Sequence, residues 1–422
     1  MRLALNNTLN SITSKEFSNN YSMSFDGTDE YLTLGDTLNL GTDNFSIAFW
    51  AKLDAADEEA FISKREGVSD FWRVRTVFYE YGSAEKLYVV GKSGGVTAFS
   101  LTGGGDISSL DGSWIHICVS VDRGGDINLY VNGDGSDTTT YGGSADISSS
   151  SSVDIDNTGQ LEIGRFSSDY LDGKMDEVAI WDVALDGDTV DSIYNSGTPN
   201  DLTLSASYTA GSGVDKSGNL LSYWRMGDGI YDSGSGEVIF DQETPTIGEN
   251  LITDPIFATG TGWTASGGTG LISERSTEKP QSGDYSWKFE TNGVATSKGV
   301  TTSAITVDAN TVYRFSYWAY APSANSSSWM NIECATGNDW NRLGSTQSWD
   351  GANIPADTWT EVVGFFRTES SPLTIQVRIG NGGSAGADGD VRYFDNVSMV
   401  KVGGNPAIME NMDSNNIVTD TP

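Results

Sequence analysis

Along Phe45 to Leu53 the apolar residues Phe45, Ile47, Phe49, Ala51 and Leu53 take alternate positions, as do Ile115, Ile117, Val119 and Val121 further on. A period of two is the mark of a β-strand with one inward face, so both runs are predicted to be half-buried strands. The same alternation recurs late in the chain. Met330, Ile332 and Cys334 are set against Trp329, Asn331 and Glu333, and Leu373, Ile375, Val377 and Ile379 against Gln376 and Arg378. The period breaks between Asp186 and Ser196, where Val190, Ile193 and Tyr194 stand at helical spacing before Gly197. That spacing predicts about two turns of helix ending on a glycine cap. The remainder reads as strand and turn, and the class is all-β.

Composition adjusts this picture in three ways. A chain of 422 residues exceeds one ordinary sandwich, so two domains are expected. Its 50 glycines suit many tight turns, and 37% hydrophobic content with 12 Trp is enough to fill real cores, which sets disorder aside. The formal charge of −34 repels phosphate backbones and anionic headgroups, and no cluster of Lys or Arg offsets it locally. Nucleic acid is therefore not expected as a partner, nor is insertion into a membrane, since no window of about eighteen apolar residues occurs. The charge suits either solubility or the attraction of divalent cations. The first twenty residues, MRLALNNTLNSITSKEFSNN, lack the apolar stretch of a secretory signal. Cys118 and Cys334 fall in different candidate domains, each in a strand-like run, and are expected to be buried free thiols rather than a disulfide.

Three motifs stand in order in the first two hundred residues: FDGTDEYLTLGDTLNLGTDNFSIAFWAKL from Phe25, GSWIHICVSVDRGGDINLYVNG from Gly112, and LEIGRFSSDYLDGKMDEVAIWDVALDGDTVDSIYNSGTP from Leu161. Together they resemble a laminin G-like (concanavalin A-like) β-sandwich. Such sandwiches bind sugars or proteins, so the resemblance implies fold more than function. It also implies a calcium site, because Asp26, Asp29 and Asp176 fall where some relatives hold Ca²⁺.

From Asn250 a second ordered set begins with NLITDPIFATGTGWTASGG and SGDYSWKFET. It continues through TVYRFSYWAYAPS, DTWTEVVGFFRT and LTIQVRIGNG and closes with VRYFDNVSMVKV. This set resembles the jelly-roll carbohydrate-binding modules appended to polysaccharide hydrolases. If Met330, Ile332 and Cys334 face inward, then Trp329, Asn331 and Glu333 face outward, and Gln376 and Arg378 do likewise on their own strand. An exposed Trp beside amides and charges suits a pyranose, the ring stacking on the sugar while Asn, Gln and Arg bond its hydroxyls. Trp340 and Trp349, in the following irregular segment, would extend that platform. For these tryptophans two readings stand side by side, ligand contact and packing; Trp318 and Trp359, which lie within strands, are read as structural. The resemblance also implies a structural Ca²⁺. Asp395 matches the last-strand ligand, whereas the first-strand segment around Asp254 lacks two of the expected oxygen ligands.

Catalysis finds little support. One histidine exists, His116, in the strand WIHICVSV, with no nucleophile elbow near it and no zinc spacing. The acidic strand motif of concanavalin-like glycosidases is absent, and GKSGG near Gly91 lacks the spacing of a phosphate loop. The expectation is a protein that is not an enzyme, with no catalytic residues.

Two joining segments, Leu220 to Gly236 (LLSYWRMGDGIYDSGSG) and Gly403 to Pro422 (GGNPAIMENMDSNNIVTDTP), resemble paired segments of structural proteins of tailed bacteriophages. This divides the chain into an N-terminal arm, 1–20; a sandwich with linker, 21–248; a jelly roll, 249–402; and a final segment, 403–422. The final segment is expected to dock on the first domain or on a neighbouring subunit. The resemblance implies a virion surface protein, a capsid decoration, knob or fibre component with weak glycan-binding capacity for host attachment, made in the host cytoplasm. Its implied partners are the major capsid or tail protein, further copies of itself, a trimer being common among such appendages, and a host-surface glycan. The alternatives are a bacterial adhesin and a glycan-degrading depolymerase.

Overall fold

The computed structural model describes residues 17–54, 59–79, 84–133, 141–232, 238–266, 272–292, 299–326, 329–336, 339–341, 352–368, 374–380 and 387–422. In 76–79, 266, 292, 329–336, 339–341 and 352–353 the description is of the backbone alone. The chain forms two compact units, Met1–Pro245 with Gly404–Pro422, and Thr246–Gly403.

In the first unit two eight-stranded antiparallel sheets enclose one core. One sheet runs in the order Gly143–Asp146, Asp126–Val131, Ile115–Val121, Phe45–Leu53, Asp172–Trp181, Ser22–Asp26 and Ile417–Val418, with Leu220–Trp224 also paired to Asp172–Trp181. The other runs Val238–Ile239, Ala407–Glu410, Tyr31–Gly35, Gln160–Ile163, Ala60–Arg65, Phe71–Tyr79, Ala84–Ser93 and Val96–Thr102. The alternation seen in the sequence becomes an inward face: Phe45, Ile47, Phe49, Ala51 and Leu53 pack with Ile115, Ile117, Val119 and Val121.

The expectation of half-buried strands is corrected on the other face. Ala48 and Cys118 there are also buried, in a second cluster with Trp181, Val190, Ile193 and Tyr223. The cause is the helix Gly187–Tyr194, which lays Val190 and Ile193 on that face. Covering one large apolar side chain contributes about 1.5–3 kcal/mol, so a short helix is held chiefly by what it buries. Its start is capped by Asp186, whose side chain accepts from the Thr189 N–H at 2.8 Å. Its end differs from the expected glycine cap, because Asn195 takes the left-handed conformation at φ 49° and a further turn separates it from Gly197. Asparagine tolerates that region because its short amide bonds locally, here donating from Nδ2 to the Thr198 carbonyl at 3.0 Å.

The final segment completes the first unit. Ala407–Glu410 lies between Tyr31–Gly35 and Val238–Ile239, and Ile417 pairs with Met23. Asp420 pins the end, accepting from Lys52 Nζ at 2.8 Å and Trp114 Nε1 at 3.1 Å.

The second unit has a seven-stranded sheet and a five-stranded sheet. The seven-stranded order is Trp263–Ser266, Gly299–Thr302, Thr374–Gly380, Trp329–Thr336 and Asp339–Asn341, with Ile305–Thr306 and Ala352–Asn353 paired alongside. The five-stranded order is Ile272–Ser276, Ser286–Asn292, Asp388–Lys401, Val312–Tyr320 and Thr360–Arg367. Between them Phe289, Phe315, Tyr317, Val377, Ile379 and Phe394 form the core.

Candidate functional site

The strand Thr374–Gly380 positions the centre of the site. Ile375, Val377 and Ile379 are buried in the core, so Gln376 and Arg378 emerge on the opposite face, both half-buried. Register then assembles a row across four strands. Thr264 pairs with Thr301, Thr301 with Arg378, and Arg378 with Glu333. Three strand spacings make this row about 14 Å long. Gln376 is fixed by donating from Nε2 to the Thr302 carbonyl at 3.0 Å, while Val377 N–H donates to Thr302 Oγ1 at 3.0 Å. Thr301 Oγ1 is buried and has no hydrogen-bond partner among the described residues. Burial lowers the pKa of Arg378, but a guanidinium keeps its charge.

Of the expected glycan-binding residues, Gln376 and Arg378 are thus placed together. Trp329, Asn331 and Glu333 lie in a strand known by its backbone, where Asn331 pairs with Gly380 and Glu333 with Arg378. Trp340 pairs with Ala335. The side chains of these four, and all of Trp349, lie outside the described residues. Thr264 and Thr301 were missed in the sequence because neither strand holding them shows a clear alternation. Trp318 and Trp359, read as structural, are both half-buried, and Trp359 packs against Tyr320 at 5.6 Å between ring centroids.

The structure places all five calcium candidates among its described residues. Asp26 and Asp29 are exposed on one turn, where Asp26 Oδ1 accepts from the Thr28 N–H at 2.8 Å. Asp26 pairs with Asp172, four residues before Asp176 on the same strand, and that length of strand separates the two by about 13 Å. Asp176 is buried with its Oδ1 accepting from the Glu177 N–H, its pKa raised by burial and by the neighbouring Glu177. Asp254 accepts from the N–H groups of Ala258, Thr259 and Gly260 and so closes its own loop. Asp395 accepts from the N–H groups of Gln281, Ser282 and Asn396. Among the described residues no group of three or more His, Cys, Asp or Glu converges as a cation requires. Asp26, Asp176, Asp254 and Asp395 each accept from at least one main-chain N–H.

A buried polar centre in the first unit had no signal in the sequence beyond its acidic pair. Glu177 sits at φ 49° where the pairing of Asp172–Trp181 with Phe45–Leu53 is interrupted. Its carboxylate takes Arg225 at 3.0 and 3.1 Å and the Tyr223 hydroxyl. Burial raises the Glu177 pKa and Arg225 opposes the rise. Beside it His116 is buried against Trp50 and Tyr194, at 5.2 and 5.9 Å, and burial pushes its pKa down to about 3. A cavity of about 10 Å³ between Trp50, His116, Glu177 and Asn200 has room for a single water. A neutral, enclosed imidazole is a poor general base. Burial also raises the pKa of the free thiol of Cys118; the side chain of Cys334 lies outside the described residues. No helix of the described residues is long and apolar enough to cross a membrane.

Residues 26–191 match the family model of the Concanavalin A-like lectin/glucanases superfamily, so this part of the first unit is similar to that superfamily. Among curated proteins no match is found. Among solved structures the chain is similar to the CBM22-1 xylan-binding domain from Paenibacillus barcinonensis Xyn10C, at 14% identity, covering 37% of this chain and 96% of that one with a TM-score of 0.29. It is also similar to the C-terminal family 22 carbohydrate binding module of Clostridium thermocellum Xyn10B, at 17% identity, 37% and 96% coverage and a TM-score of 0.28. The enzymatically active domain of bacteriophage CBA120 tailspike protein 4 matches at 14% identity, over 36% of this chain and 21% of that one, with a TM-score of 0.28.

Proposed function

We propose that this protein binds glycan through the outer face of the seven-stranded sheet, and that it does so as a non-enzymatic surface component of a tailed-phage virion. The observation that carries the binding reading is the row Thr264–Thr301–Arg378, with Gln376 beside it. Sugar hydroxyls present alternating donors and acceptors on a flat ring, and the exposed Thr264 hydroxyl, an amide and a guanidinium answer them. Arg378→Ala is expected to weaken retention on an immobilised polysaccharide by about tenfold or more, the loss of a hydrogen bond to a charged group, while the melting temperature holds. Retention equal to wild type overturns the site.

Support for the virion role comes from the two segments that resemble phage structural proteins, which meet within the first unit. Trp224 Nε1 donates to the Asn405 carbonyl at 2.7 Å, and Asn405 Nδ2 donates to Ser222 Oγ at 2.8 Å. Many copies on one particle would turn a weak site into firm attachment, since avidity rises by roughly 10²–10⁴ without new contacts. The partners of this reading are capsid or tail protein and further copies of the chain. Mass spectrometry and cryo-EM of purified particles are expected to find the protein in ordered density; its absence from them sinks this role.

A further inference from the structure

Residues 17–21 lead into the strand Ser22–Asp26 and lie over a cluster of enclosed charges in the first unit. A tight turn forms its floor. The Asp228 N–H donates to the Arg225 carbonyl at 3.0 Å, and between them Met226 and Gly227 sit at φ 43° and φ 118°. Left-handed backbone at a methionine is strained, and the turn it belongs to presents both Arg225 and Asp228 to the arm. Asp228 Oδ2 accepts the N–H groups of Asn20 at 2.6 Å and Tyr21 at 2.7 Å, and its Oδ1 accepts from Asn20 Nδ2 at 3.1 Å. Arg225 donates from Nη2 to the Ser18 carbonyl at 2.8 Å and lies over the Phe17 ring at 4.0 Å. The side chain of Asn19 stands beside Asp176.

The charges under the arm do not balance. Asp176 and Asp228 are fully buried, Glu177 and Arg225 nearly so, and the three carboxyl groups all act on the one guanidinium. With every acid ionised, two negative charges would be in excess away from water, which is costly. Asp228 has its three N–H groups and Glu177 holds Arg225 at 3.0 Å, so Asp176 is left over. Its Oδ2 is buried with no hydrogen-bond partner among the described residues, and the same is true of Asn19 Oδ1. A proton on Asp176 Oδ2 removes one excess charge and supplies a donor for Asn19. Burial raises the pKa of Asp176, and that of Glu177 to about 7. Around the pair stand Tyr223, which donates its hydroxyl to Glu177, half-buried Asp201, and His116 across the small cavity. Lys174, two residues along the strand, is paired with Asp54 and Asp420 at 3.7 and 3.6 Å.

We propose that this cluster is a proton-dependent latch: the arm stays down while Asp176 and Glu177 share a proton, and lifts when that proton leaves. With the arm away, water reaches the cluster and the acids return towards their ordinary range, so docking takes up a proton. Docking is therefore favoured in full below about pH 4.5 and weakens as pH rises to about 7. The latch lies in the first unit and depends neither on the Arg378 face nor on a virion role.

Hydrogen exchange of the full chain, read by mass spectrometry from about pH 5 to 8 with intrinsic rates divided out, tests this on peptides spanning Asn20 and Tyr21. Their protection is expected to fall by up to about tenfold per pH unit, the slope of one proton, while Ile115–Val121 stays protected. Asp176→Asn keeps the acceptor for the Glu177 N–H and removes the charge, so it should hold the arm down at the alkaline end and flatten the dependence. If that variant melts lower, Asn19→Asp decides in its place, since a further acid beside Asp176 should steepen the slope towards two protons. Arm protection that is constant across the range, loss of protection in Ile115–Val121 in step with the arm, or an undiminished slope in Asp176→Asn would each overturn the proposal.

Discussion

Asp395 illustrates how a single residue can be recognisable in sequence while its partners are not. Its position in YFDNVS marks a last-strand acid, but its carboxylate accepts main-chain N–H groups of Gln281 at 2.8 Å, Ser282 at 2.9 Å and Asn396 at 2.7 Å. Burial pushes its pKa up to about 6, against an ordinary 3.8. A folded pKa above the unfolded one means that the folded state binds more protons in between, so this group's stabilising effect is full below about pH 4 and is lost as pH rises to about 6. Asp395→Asn is expected to flatten the dependence of the second unit's melting temperature on pH across that window. The variant should also lower the melting temperature itself, because an amide NH₂ replaces one acceptor at a cost of about 1–3 kcal/mol. Calorimetry at a series of pH values checks this, and a slope identical to wild type would falsify it. The residue was legible by resemblance; its three donors were not, because Gln281 and Ser282 are brought to it only by the fold.

At the scale of elements the period of two was the reliable signal. Phe45–Leu53, Ile115–Val121 and Thr374–Gly380 are strands with the predicted residues inward. What alternation cannot report is the covering of the second face. Ala48 and Cys118 are buried by a helix from residues 187–194, distant in sequence. The strand Ala407–Glu410 makes the same point in reverse. Its apolar residues needed burial, and the structure places them inside a sheet, with Ile408 opposite both Val238 and Thr33. Deleting residues 404–422 strips that strand and leaves Tyr31–Gly35 and Val238–Ile239 unpaired there. Burial of Ile408, Met409 and Ile417 is lost as well, each contributing about 1.5–3 kcal/mol. Against a typical stability of about 5–15 kcal/mol, the first unit is expected to lose its cooperative melting transition while that of the second persists. Two unchanged transitions in calorimetry, with wild-type resistance to proteolysis, would show the segment to be peripheral.

For the whole molecule, charge is where sequence and fold part company. Read along the chain, −34 and the lack of a basic run point away from anionic ligands. The fold decides where that charge lies, setting Asp176, Glu177 and Asp228 around Arg225. The Thr264–Thr301–Arg378 row arises in the same way, from strands far apart in sequence. By itself the sequence determined the all-β class, the inward residues of the clearest strands and the position of the helix Gly187–Tyr194. These follow from local periodicity and composition, which backbone geometry translates directly into strand and turn. Only the tertiary structure decided which carboxylates meet main-chain donors, which outward faces are covered, and which polar residues stand in register. Those outcomes depend on strand pairing and packing between distant segments, and no property of a single stretch of chain encodes them.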